Sequence, residues 1–274
     1  MAKEKIVLAY SGGLDTSVMA HWLREKFSAD IITVTVDVGQ GDDMAAIERK
    51  SKETGAVKHY AIDAKKSFIE DYVFPSVKAN ALYMGKYPLS TAVGRPLIAS
   101  KLVDVAKKEK ASAVAHGCSG RGNDQVRFDI SIRALAPDLR IIAPVREWNL
   151  ARDEEIKYAK AHGIPVPVTI ERPYSIDQSL WGRAIECGIL EDSYAEPPEE
   201  IFEWTSSVEK APSESTVLSI EFVEGIPTAV NDEKLDSVTL VSNLNQVAGK
   251  HGVGRIDHIE DRMVGIKSRE VYEC

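Results

Sequence analysis

The chain has 274 residues, of which 44% are hydrophobic and 28% charged, a composition typical of a soluble globular protein with one large domain or two modest ones. Its formal net charge of −8 argues against nonspecific binding to nucleic acid, because no basic excess is present to neutralise phosphates. The cysteines Cys118, Cys187 and Cys274 form no Cys-x-x-Cys pair, which favours a reducing cytoplasm over a disulfide framework or a structural zinc site. The first residues enter a strand pattern directly and no apolar stretch reaches transmembrane length, so we expect neither a signal peptide nor a membrane partner.

A phosphate-binding loop is the first feature predicted along the chain. The apolar run 6–9 is too short for a helix and indicates a buried parallel strand. It leads into Ser-Gly-Gly-Leu-Asp-Thr-Ser, residues 11–17, and a helical pattern follows. Glycines allow backbone N–H groups to approach an anion closely, the hydroxyls add donors, and a helix N-terminus supplies positive potential. The spacing of a Walker motif is missing, and the alternative is a strand-to-helix turn whose glycines serve only steric needs.

Strands alternate with helices over the first 165 residues. The pattern predicts further strands at 31–38, 56–62, 112–115 and 139–145, and helices that end near residues 27, 55, 80, 110, 135 and 162. Asp42 is predicted to cap the second helix, and Pro75 to kink or end the third. This alternation indicates an α/β fold with a doubly wound parallel five-stranded sheet, in which ligands bind beyond the carboxyl ends of the strands.

A second glycine-rich loop follows the fourth predicted strand at that same edge. Within 116–127 it carries four polar or charged residues: Ser119, Asn123, Asp124 and Arg127. A surface turn with a capping Asp is one interpretation. The other is a polar ligand, because Asp124 can accept hydrogen bonds from an ammonium group and Arg127 can pair with a carboxylate, as an amino acid requires. His116 is either a packed residue at the strand end or a functional one, and Cys118 is predicted to be structural because no neighbouring partner marks it as a nucleophile.

The remainder of the chain is predicted to form a smaller α+β domain, so that the chain divides into 1–165 and 166–274. Helices are interrupted by Pro165, Pro167 and Pro173, and an antiparallel hairpin is predicted over 216–230 with its turn at 225–227. A helix with an apolar face around Leu240 and a last strand follow.

Several strings of this sequence resemble known families. Ser-Gly-Gly-x-Asp-Thr/Ser after a first strand resembles the signature of the ATP pyrophosphatases, which cleave ATP between its α- and β-phosphates. A close resemblance to the argininosuccinate synthases is carried by Ala-Tyr-Ser-Gly-Gly-Leu-Asp-Thr-Ser from Ala9, His-Gly-Cys-Ser-Gly-Arg-Gly-Asn-Asp-Gln-Val-Arg-Phe from His116, Asn-Gln-Val-Ala-Gly-Lys-His-Gly-Val-Gly-Arg-Ile-Asp from Asn245 and Val-Gly-Ile-Lys-Ser-Arg-Glu-Val-Tyr-Glu from Val264. The likeness extends over essentially the whole chain.

This resemblance implies a carbon–nitrogen ligase of arginine biosynthesis and urea-cycle chemistry. Such an enzyme joins citrulline to aspartate with ATP, giving argininosuccinate, AMP and pyrophosphate through a citrulline adenylate. Positioning and charge stabilisation dominate this chemistry, so we expect no acid–base residue, and Ser11, Asp15 and Arg127 are the predicted positioning residues. The resemblance also implies an adenine nucleotide alpha hydrolase-like first domain, Mg²⁺ carried on the phosphates without metal-ligating residues, a homotetramer and a cytoplasmic location.

Three sets of ligand contacts follow when the resemblance is carried onto matching positions. ATP would contact Ala9, Tyr10, Ser11, Gly12, Gly13, Leu14, Asp15, Thr16, Ser17, Val36 and Gly117. Aspartate would contact Ser119, Asn123 and Asp124, and citrulline would contact Tyr87, Asn123, Arg127, Ser175, Glu260 and Tyr272. Glu260 would face the ammonium group of citrulline and Arg127 its carboxylate. Each of these residues also has a simpler interpretation when it is considered alone. Tyr87 could be an aromatic residue packed in a loop, and Ser175 a hydroxyl residue in a turn. Glu260 and Tyr272 could be outward-facing residues of a strand.

The sequence departs from the family pattern in three places. Ala92 and Ala184 stand where a hydroxyl residue that contacts citrulline is usual, and each lost contact is expected to cost about 1 kcal/mol unless a neighbour such as Thr91 substitutes. Family members continue beyond the position of Cys274, so we expect the second domain to be incomplete at its C-terminus. Two other functions stay open: a nucleotide-binding remnant without catalysis, and another ATP pyrophosphatase that acts on an amide or tRNA substrate.

Overall fold

The computed structural model describes residues 3–148, 152–165 and 174–274 of the chain. The strands in chain order are β1 (Lys5–Ala9), β2 (Asp30–Asp37), β3 (Lys58–Asp63), β4 (Ala113–Ala115), β5 (Arg140–Ile142), β6 (Ser175–Ser179), β7 (Gly182–Glu186), β8 (Ile220–Val223), β9 (Ile226–Val230), β10 (Glu233–Lys234), β11 (Arg255–Asp261) and β12 (Lys267–Glu273). The α-helices are α1 (Leu14–Phe27), α2 (Met44–Glu53), α3 (Lys65–Phe68), α4 (Phe74–Lys78), α5 (Gly94–Glu109), α6 (Asp124–Leu135), α7 (Pro144–Trp148), α8 (Arg152–Ala161) and α9 (Ser237–Lys250).

The described residues fall into two compact units. The first lies within 1–37, 41–63 and 95–170, and the second within 38–40, 64–94 and 171–274. Segment 64–94 joins the second unit through contacts such as the 2.9 Å hydrogen bond from Ser237 Oγ to Glu70 Oε1. The division of the chain at residue 165 stays a prediction, and the proline-containing stretch 166–173 lies outside the described residues.

A five-stranded parallel sheet forms the centre of the first unit, in the order β3-β2-β1-β4-β5. The predicted doubly wound α/β architecture is therefore confirmed. The interior residues of β1, from Ile6 to Leu8, are 0% exposed, because β2 and β4 pair on either side of this strand and helices cover the faces. Leu8 pairs with Thr33 of β2 and with Ala115 of β4, so the loops after β1 and β4 are neighbours at one edge of the sheet.

Three local predictions need correction. The cap of α2 is Asp43, whose side chain accepts from the Ala46 N–H at 3.0 Å, and not Asp42. The fifth strand ends at Ile142, because Pro144 starts α7, where its fixed φ and missing N–H suit a first helical turn. The third predicted helix is divided into α3, a π-helical turn Ile69–Val73 and α4, with Pro75 in the first turn of α4.

Two antiparallel sheets form the second unit, with the strand orders β11-β12-β7-β6 and β10-β9-β8. The predicted hairpin is present as β8 and β9, but it turns at Glu224 and Gly225, whose φ values of 51° and 79° are those of a tight hairpin turn. The hairpin β6–β7 has no counterpart in the sequence-based prediction.

A membrane-spanning helix would need a long apolar stretch, and none of the helices in the described part of the chain has one.

Candidate functional site

The loop between β1 and α1 is held in a conformation that its glycines permit. Gly12 has φ +77°, in the left-handed region, and a Cβ atom there would lie 3.0 Å from Ile47 Cγ1. Gly13 is the N-cap of α1, and its N–H donates to Ser11 Oγ at 3.3 Å. Lys50 Nζ donates to the Gly12 carbonyl oxygen at 2.5 Å, and burial lowers the pKa of this lysine. The result is a preformed backbone turn at the N-terminus of a long helix, which suits a phosphate.

The side chains of the predicted ATP-binding string divide into an exposed and a buried group. Ser11, Gly13 and Asp15 are exposed, whereas Tyr10, Leu14 and Ser17 are buried and Ala9, Gly12 and Thr16 are half-buried. Ser17 Oγ donates to the Gly13 oxygen at 2.7 Å and lies 3.1 Å from the Tyr10 hydroxyl. The exposed residues can therefore touch a ligand, and the buried ones support the loop from the protein side.

Two further positions of the predicted nucleotide site lie, like Ala9, at the carboxyl ends of adjacent strands. Ala9 ends β1, Val36 is next to last in β2, and Gly117 follows β4. A Cβ atom at Gly117 would lie 2.6 Å from Met19 Cε, so the Met19 side chain would have to shift if this residue carried a side chain. With β1 paired to β2 on one side and to β4 on the other, this edge is the topological switch point of the sheet, where ligands of such folds bind.

His116 anchors the loop that follows β4. Its ring is 1% exposed and stacks on Phe128 with ring centroids 5.2 Å apart. The Cys118 N–H donates to Nδ1 at 3.3 Å, so Nε2 carries the proton and donates to Asp129 Oδ1 at 2.9 Å. Burial lowers the pKa of His116 although Asp129 opposes this shift. Of the two sequence interpretations, the geometry favours a packed histidine that fixes the loop.

Asp124 lies between two guanidinium groups at the start of α6. Arg95 Nε donates to its Oδ2 at 2.7 Å, and an Arg127 N–H donates to its Oδ1 at 2.5 Å. Burial acts to raise the pKa of Asp124, but Arg95 and Arg127 outweigh it, and the pKa lies below its usual value. Asp124 is thus an ionised carboxylate in a fixed place, with the exposed Ser119 and the half-buried Asn123 on the same loop.

The three thiols are expected to be inert towards alkylation in the folded chain. Burial raises the pKa of Cys118 and of Cys274 to about 12, and it also raises the pKa of Cys187. Because the thiolate is the nucleophile, only about one thiol in ten thousand is reactive at pH 8 when its pKa is four units higher. Iodoacetamide at pH 8 should leave the mass of Cys118- and Cys274-containing peptides unchanged, and should modify both after unfolding in guanidinium. Rapid labelling of Cys118 in the folded chain would contradict its structural role.

A polar sheet face in the second unit carries most of the predicted citrulline contacts. Register pairs Ser175 with Glu186, and Ala184 with Tyr272, and Glu260 lies on β11 opposite Ser268 of β12. Since side chains alternate between faces along a strand, these residues share one face of the sheet. Ser175 is exposed there, whereas Glu260 and Tyr272 are buried, so the outward-facing alternative for the last two is excluded.

Tyr87, Tyr272 and Glu260 form one contact group on that face. The rings of Tyr87 and Tyr272 stack with centroids 3.8 Å apart and planes 10° apart. The Tyr272 hydroxyl donates to Glu260 Oε2 at 2.7 Å, and His258 Nε2 lies 3.2 Å from the same oxygen. Burial, followed by the neighbouring Tyr87, raises the pKa of Tyr272, so it stays a hydrogen-bond donor at neutral pH. Glu260 is thereby a fixed carboxylate of the kind that binds an ammonium group.

A second carboxylate group on this face was missed by the sequence reasoning. Arg262 donates to Glu270 at 2.8 Å and to Glu186 at 3.0 Å, and Ser268 donates to Glu270 at 2.7 Å. Burial, and then the charge of Glu186, raises the pKa of Glu270 to about 7. The face therefore combines the carboxylates Glu186, Glu260 and Glu270 with a single arginine among the described contacts, and its negative balance suits a cationic group.

The two departures from the family pattern lie beside the stacked tyrosines. Ala92 is 4% exposed and, with Ala184, packs in one apolar cluster with Tyr87 and Tyr272. Thr91 Oγ1 lies 3.1 Å from the Tyr87 hydroxyl, which also accepts from the Thr91 N–H at 3.0 Å. Thr91 therefore forms hydrogen bonds with Tyr87, which is itself a predicted citrulline contact. That the Thr91 hydroxyl replaces the contact missing at Ala92 stays a prediction.

Within each unit the structure brings predicted site residues together. In the first unit it gathers the loop 11–17, Gly117 and the polar residues of 119–127, and in the second it gathers Tyr87, Ser175, Glu260 and Tyr272. Sequence reasoning missed Lys50, Arg95 and Glu270. Arg95 carried a usable signal, because Gly-Arg-Pro before an amphipathic stretch is compatible with a first helical turn, where α5 places it. Lys50 resembled any lysine on a solvated helix face.

Comparison with known proteins gives two family matches. A model described as the arginosuccinate synthase N-terminal HUP domain matches residues 5–165, and a model described as the arginosuccinate synthase C-terminal domain matches residues 174–274. The first match alone covers more than half of the chain.

Curated relatives agree with these models. An argininosuccinate synthase of Pyrococcus furiosus is 61% identical over 98% of this chain and 65% of its own length. Those of Brevibacillus brevis and Geobacillus thermodenitrificans are each 57% identical over 100% of this chain, which corresponds to 65% and 67% of their lengths. The chain thus spans about two thirds of the length of the relatives that it resembles.

Proposed function

The chain belongs to the argininosuccinate synthase family, and from this premise we propose that it is a carbon–nitrogen ligase that condenses citrulline with aspartate. ATP is consumed, and argininosuccinate, AMP and pyrophosphate are released. The ureido oxygen of citrulline attacks the α-phosphate of ATP and pyrophosphate leaves, which gives a citrulline adenylate. The aspartate amine then attacks the ureido carbon and AMP leaves. We extend the proposal to a homotetramer that acts in the cytoplasm.

One observation carries this proposal. The loop 11–17 and the loop that holds Asp124 between Arg95 and Arg127 lie side by side at the topological switch point of the parallel sheet. The first offers backbone donors to phosphates, and the second offers a carboxylate and guanidinium groups to an amino acid. Adenylation followed by amine attack requires both kinds of binding in one place.

The chain's own residues act by placement and charge. Ser11 and the backbone at Gly12 and Gly13 would hold the pyrophosphate side of ATP, and Lys50 holds the Gly12 carbonyl oxygen through a hydrogen bond. Ser119, Asn123 and Asp124 would orient the aspartate amine. Reaction between neighbouring bound groups needs no strong base, because correct placement alone supplies a large part of the acceleration.

Citrulline would be held by its amino-acid end in this proposal. Arg127 would take its carboxylate, and Asn123 would contact it from the same loop. Glu260, fixed by the Tyr272 hydroxyl, would take the ammonium group, with Tyr87 stacked behind Tyr272 and Ser175 on the same sheet face.

Magnesium fits the residues that are present. Mg²⁺ binds through substrate phosphates, waters and one or two carboxylates more often than in an all-protein cage. Asp15 is an exposed carboxylate in the first turn of α1, beside the phosphate loop. When bound, the ion would neutralise negative charge on the phosphates of ATP.

Pyrophosphate release from ATP tests the proposal directly, with citrulline and aspartate each added or omitted. We expect release to depend on citrulline, and argininosuccinate to form only when aspartate is also present. The variant Ser119→Ala removes one neutral hydrogen bond, so the aspartate KM should rise about 5-fold while citrulline-dependent release persists, and Ser207→Ala serves as its control. ATP binding without pyrophosphate release would indicate a nucleotide-binding remnant without catalysis. Pyrophosphate release that does not depend on citrulline would indicate an ATP pyrophosphatase with another substrate.

A further inference from the structure

Two histidines and a glutamate meet on the surface of the first unit, away from the loops of the proposed active site. His21 and Glu25 lie one helical turn apart on α1, and His162 follows the end of α8. One potential ligand atom of each residue lies within 4.8 Å of those of the other two. The imidazole rings of His21 and His162 have their centroids 4.5 Å apart. A set of two imidazoles and one carboxylate is the donor set of three-ligand zinc sites.

The hydrogen bonds of His162 leave a lone pair available for a cation. Its Nδ1 lies 2.9 Å from the Tyr158 carbonyl oxygen, which can only accept, so Nδ1 must carry the proton. Nε2 is then the unprotonated nitrogen. Histidine ligands of metals typically donate their other N–H to a backbone carbonyl in this way, which fixes both the tautomer and the ring orientation. His162 is therefore oriented as a ligand before any ion arrives.

Tyr158 places a further oxygen beside the same three residues. Its hydroxyl lies 3.0 Å from His21 Nδ1 and 3.2 Å from Glu25 Oε2, and its ring stacks on His162 with centroids 4.1 Å apart. The Glu25 side chain is 53% exposed, which gives an ion access from solvent.

We propose that His21, Glu25 and His162 bind a divalent transition-metal cation of the zinc class, with a fourth position open to water or to the Tyr158 oxygen. The nitrogen ligands select against Mg²⁺ and Ca²⁺, which prefer all-oxygen sites. Bringing the ligand atoms from their present separations to zinc bond lengths of about 2.0–2.2 Å needs only small side-chain movements. The ion would join α1, whose N-terminus forms the phosphate loop, to the end of α8.

Calorimetric titration of the chelator-treated full chain with ZnCl₂ tests this site. We expect one zinc ion per chain, and a Co²⁺ derivative with visible absorption of a four-coordinate site. His162→Ala removes an exposed ligand and should weaken zinc binding at least about 10-fold, because even loss of an outer-sphere partner costs about 10- to 100-fold. Glu25→Gln should weaken it similarly. Tyr158→Phe removes the hydrogen-bond chain but keeps all three ligands, so it should lose less zinc affinity than His162→Ala.

Matched controls separate this site from other zinc-binding groups. His251→Ala and Glu48→Gln change the same residue types elsewhere in the chain and should leave the zinc affinity within about 2-fold of that of the unmodified chain. Zinc affinity equal in His162→Ala and the unmodified chain would overturn the proposal, and so would the absence of zinc binding. Weaker binding in Tyr158→Phe than in His162→Ala would also overturn it, since the cluster would then be a structural hydrogen-bond chain.

Discussion

Replacement of Gly12 by alanine is expected to weaken ATP binding and pyrophosphate release about 100-fold. Gly12 has φ +77°, and its new methyl group would lie 3.0 Å from Ile47 Cγ1 on α2. Alanine in the left-handed region costs about 1–2 kcal/mol, so the loop would relax towards another backbone conformation. A displacement of about 1 Å in a positioning loop is enough for a 100-fold loss of rate. ATP affinity by calorimetry and pyrophosphate release by a coupled assay measure the two effects.

Gly265→Ala is the matched control for this substitution. Gly265 also has a positive φ, of +87°, but a Cβ atom there meets no atom within 4 Å, and the residue lies in the turn between β11 and β12. Both variants should lose free energy of unfolding in urea, because alanine is strained in the left-handed region at both positions, and Gly12→Ala adds the contact with Ile47. Only Gly12→Ala should lose ATP affinity. Equal ATP affinity in the two variants would show that the conformation of the loop at Gly12 is not required for binding the nucleotide.

The sequence predicted the first unit well because its signals are local. A short apolar run, two glycines and a helical pattern specify β1, the loop 11–17 and α1 without reference to distant residues. The same holds for β2, whose interior residues are all buried, whereas the edge strand β3 has the sequence Lys-His-Tyr-Ala-Ile-Asp and no fully buried residue. The helix α7 was missed, because Pro144 opens a helix where the prediction continued the fifth strand.

The contacts within the candidate site were harder to predict from the sequence. Strand β6 has the sequence Ser-Ile-Asp-Gln-Ser, whose polar residues hide the alternation that marks a strand, because this sheet face is lined by polar side chains. Lys50 contacts Gly12 over a separation of 38 positions, and Arg95 contacts Asp124 over 29. Such pairs depend on tertiary packing, which no local periodicity encodes. The family resemblance predicts citrulline contacts for Glu260 and Tyr272, but it assigns no role to Glu270 on the same sheet face.

Replacement of Glu273 by glutamine is expected to destabilise the second unit by about 3–5 kcal/mol. Glu273 is 0% exposed and pairs with Arg183, which is 1% exposed. Its Oε1 also accepts from the Trp204 and Thr205 N–H groups and the Thr205 hydroxyl, at 2.8–2.9 Å. Loss of the carboxylate charge leaves the buried guanidinium of Arg183 with Glu203 as its remaining described carboxylate partner, at 3.3 Å, and the Glu203 side chain is 51% exposed. Removal of the buried partner is the costly way to break a buried ion pair.

Urea unfolding followed by tryptophan fluorescence measures this effect, because Trp181 and Trp204 belong to the same unit. Asp257→Asn is the control: Asp257 pairs with Arg269 through two hydrogen bonds of 2.7 and 2.9 Å, but its side chain is 42% exposed. Solvent screens that pair, so its loss should cost less than about 1 kcal/mol. Similar losses in both variants would mean that water reaches Arg183 in solution. A large loss only in Glu273→Gln would show that β12 is held to the 203–205 segment by this one buried carboxylate.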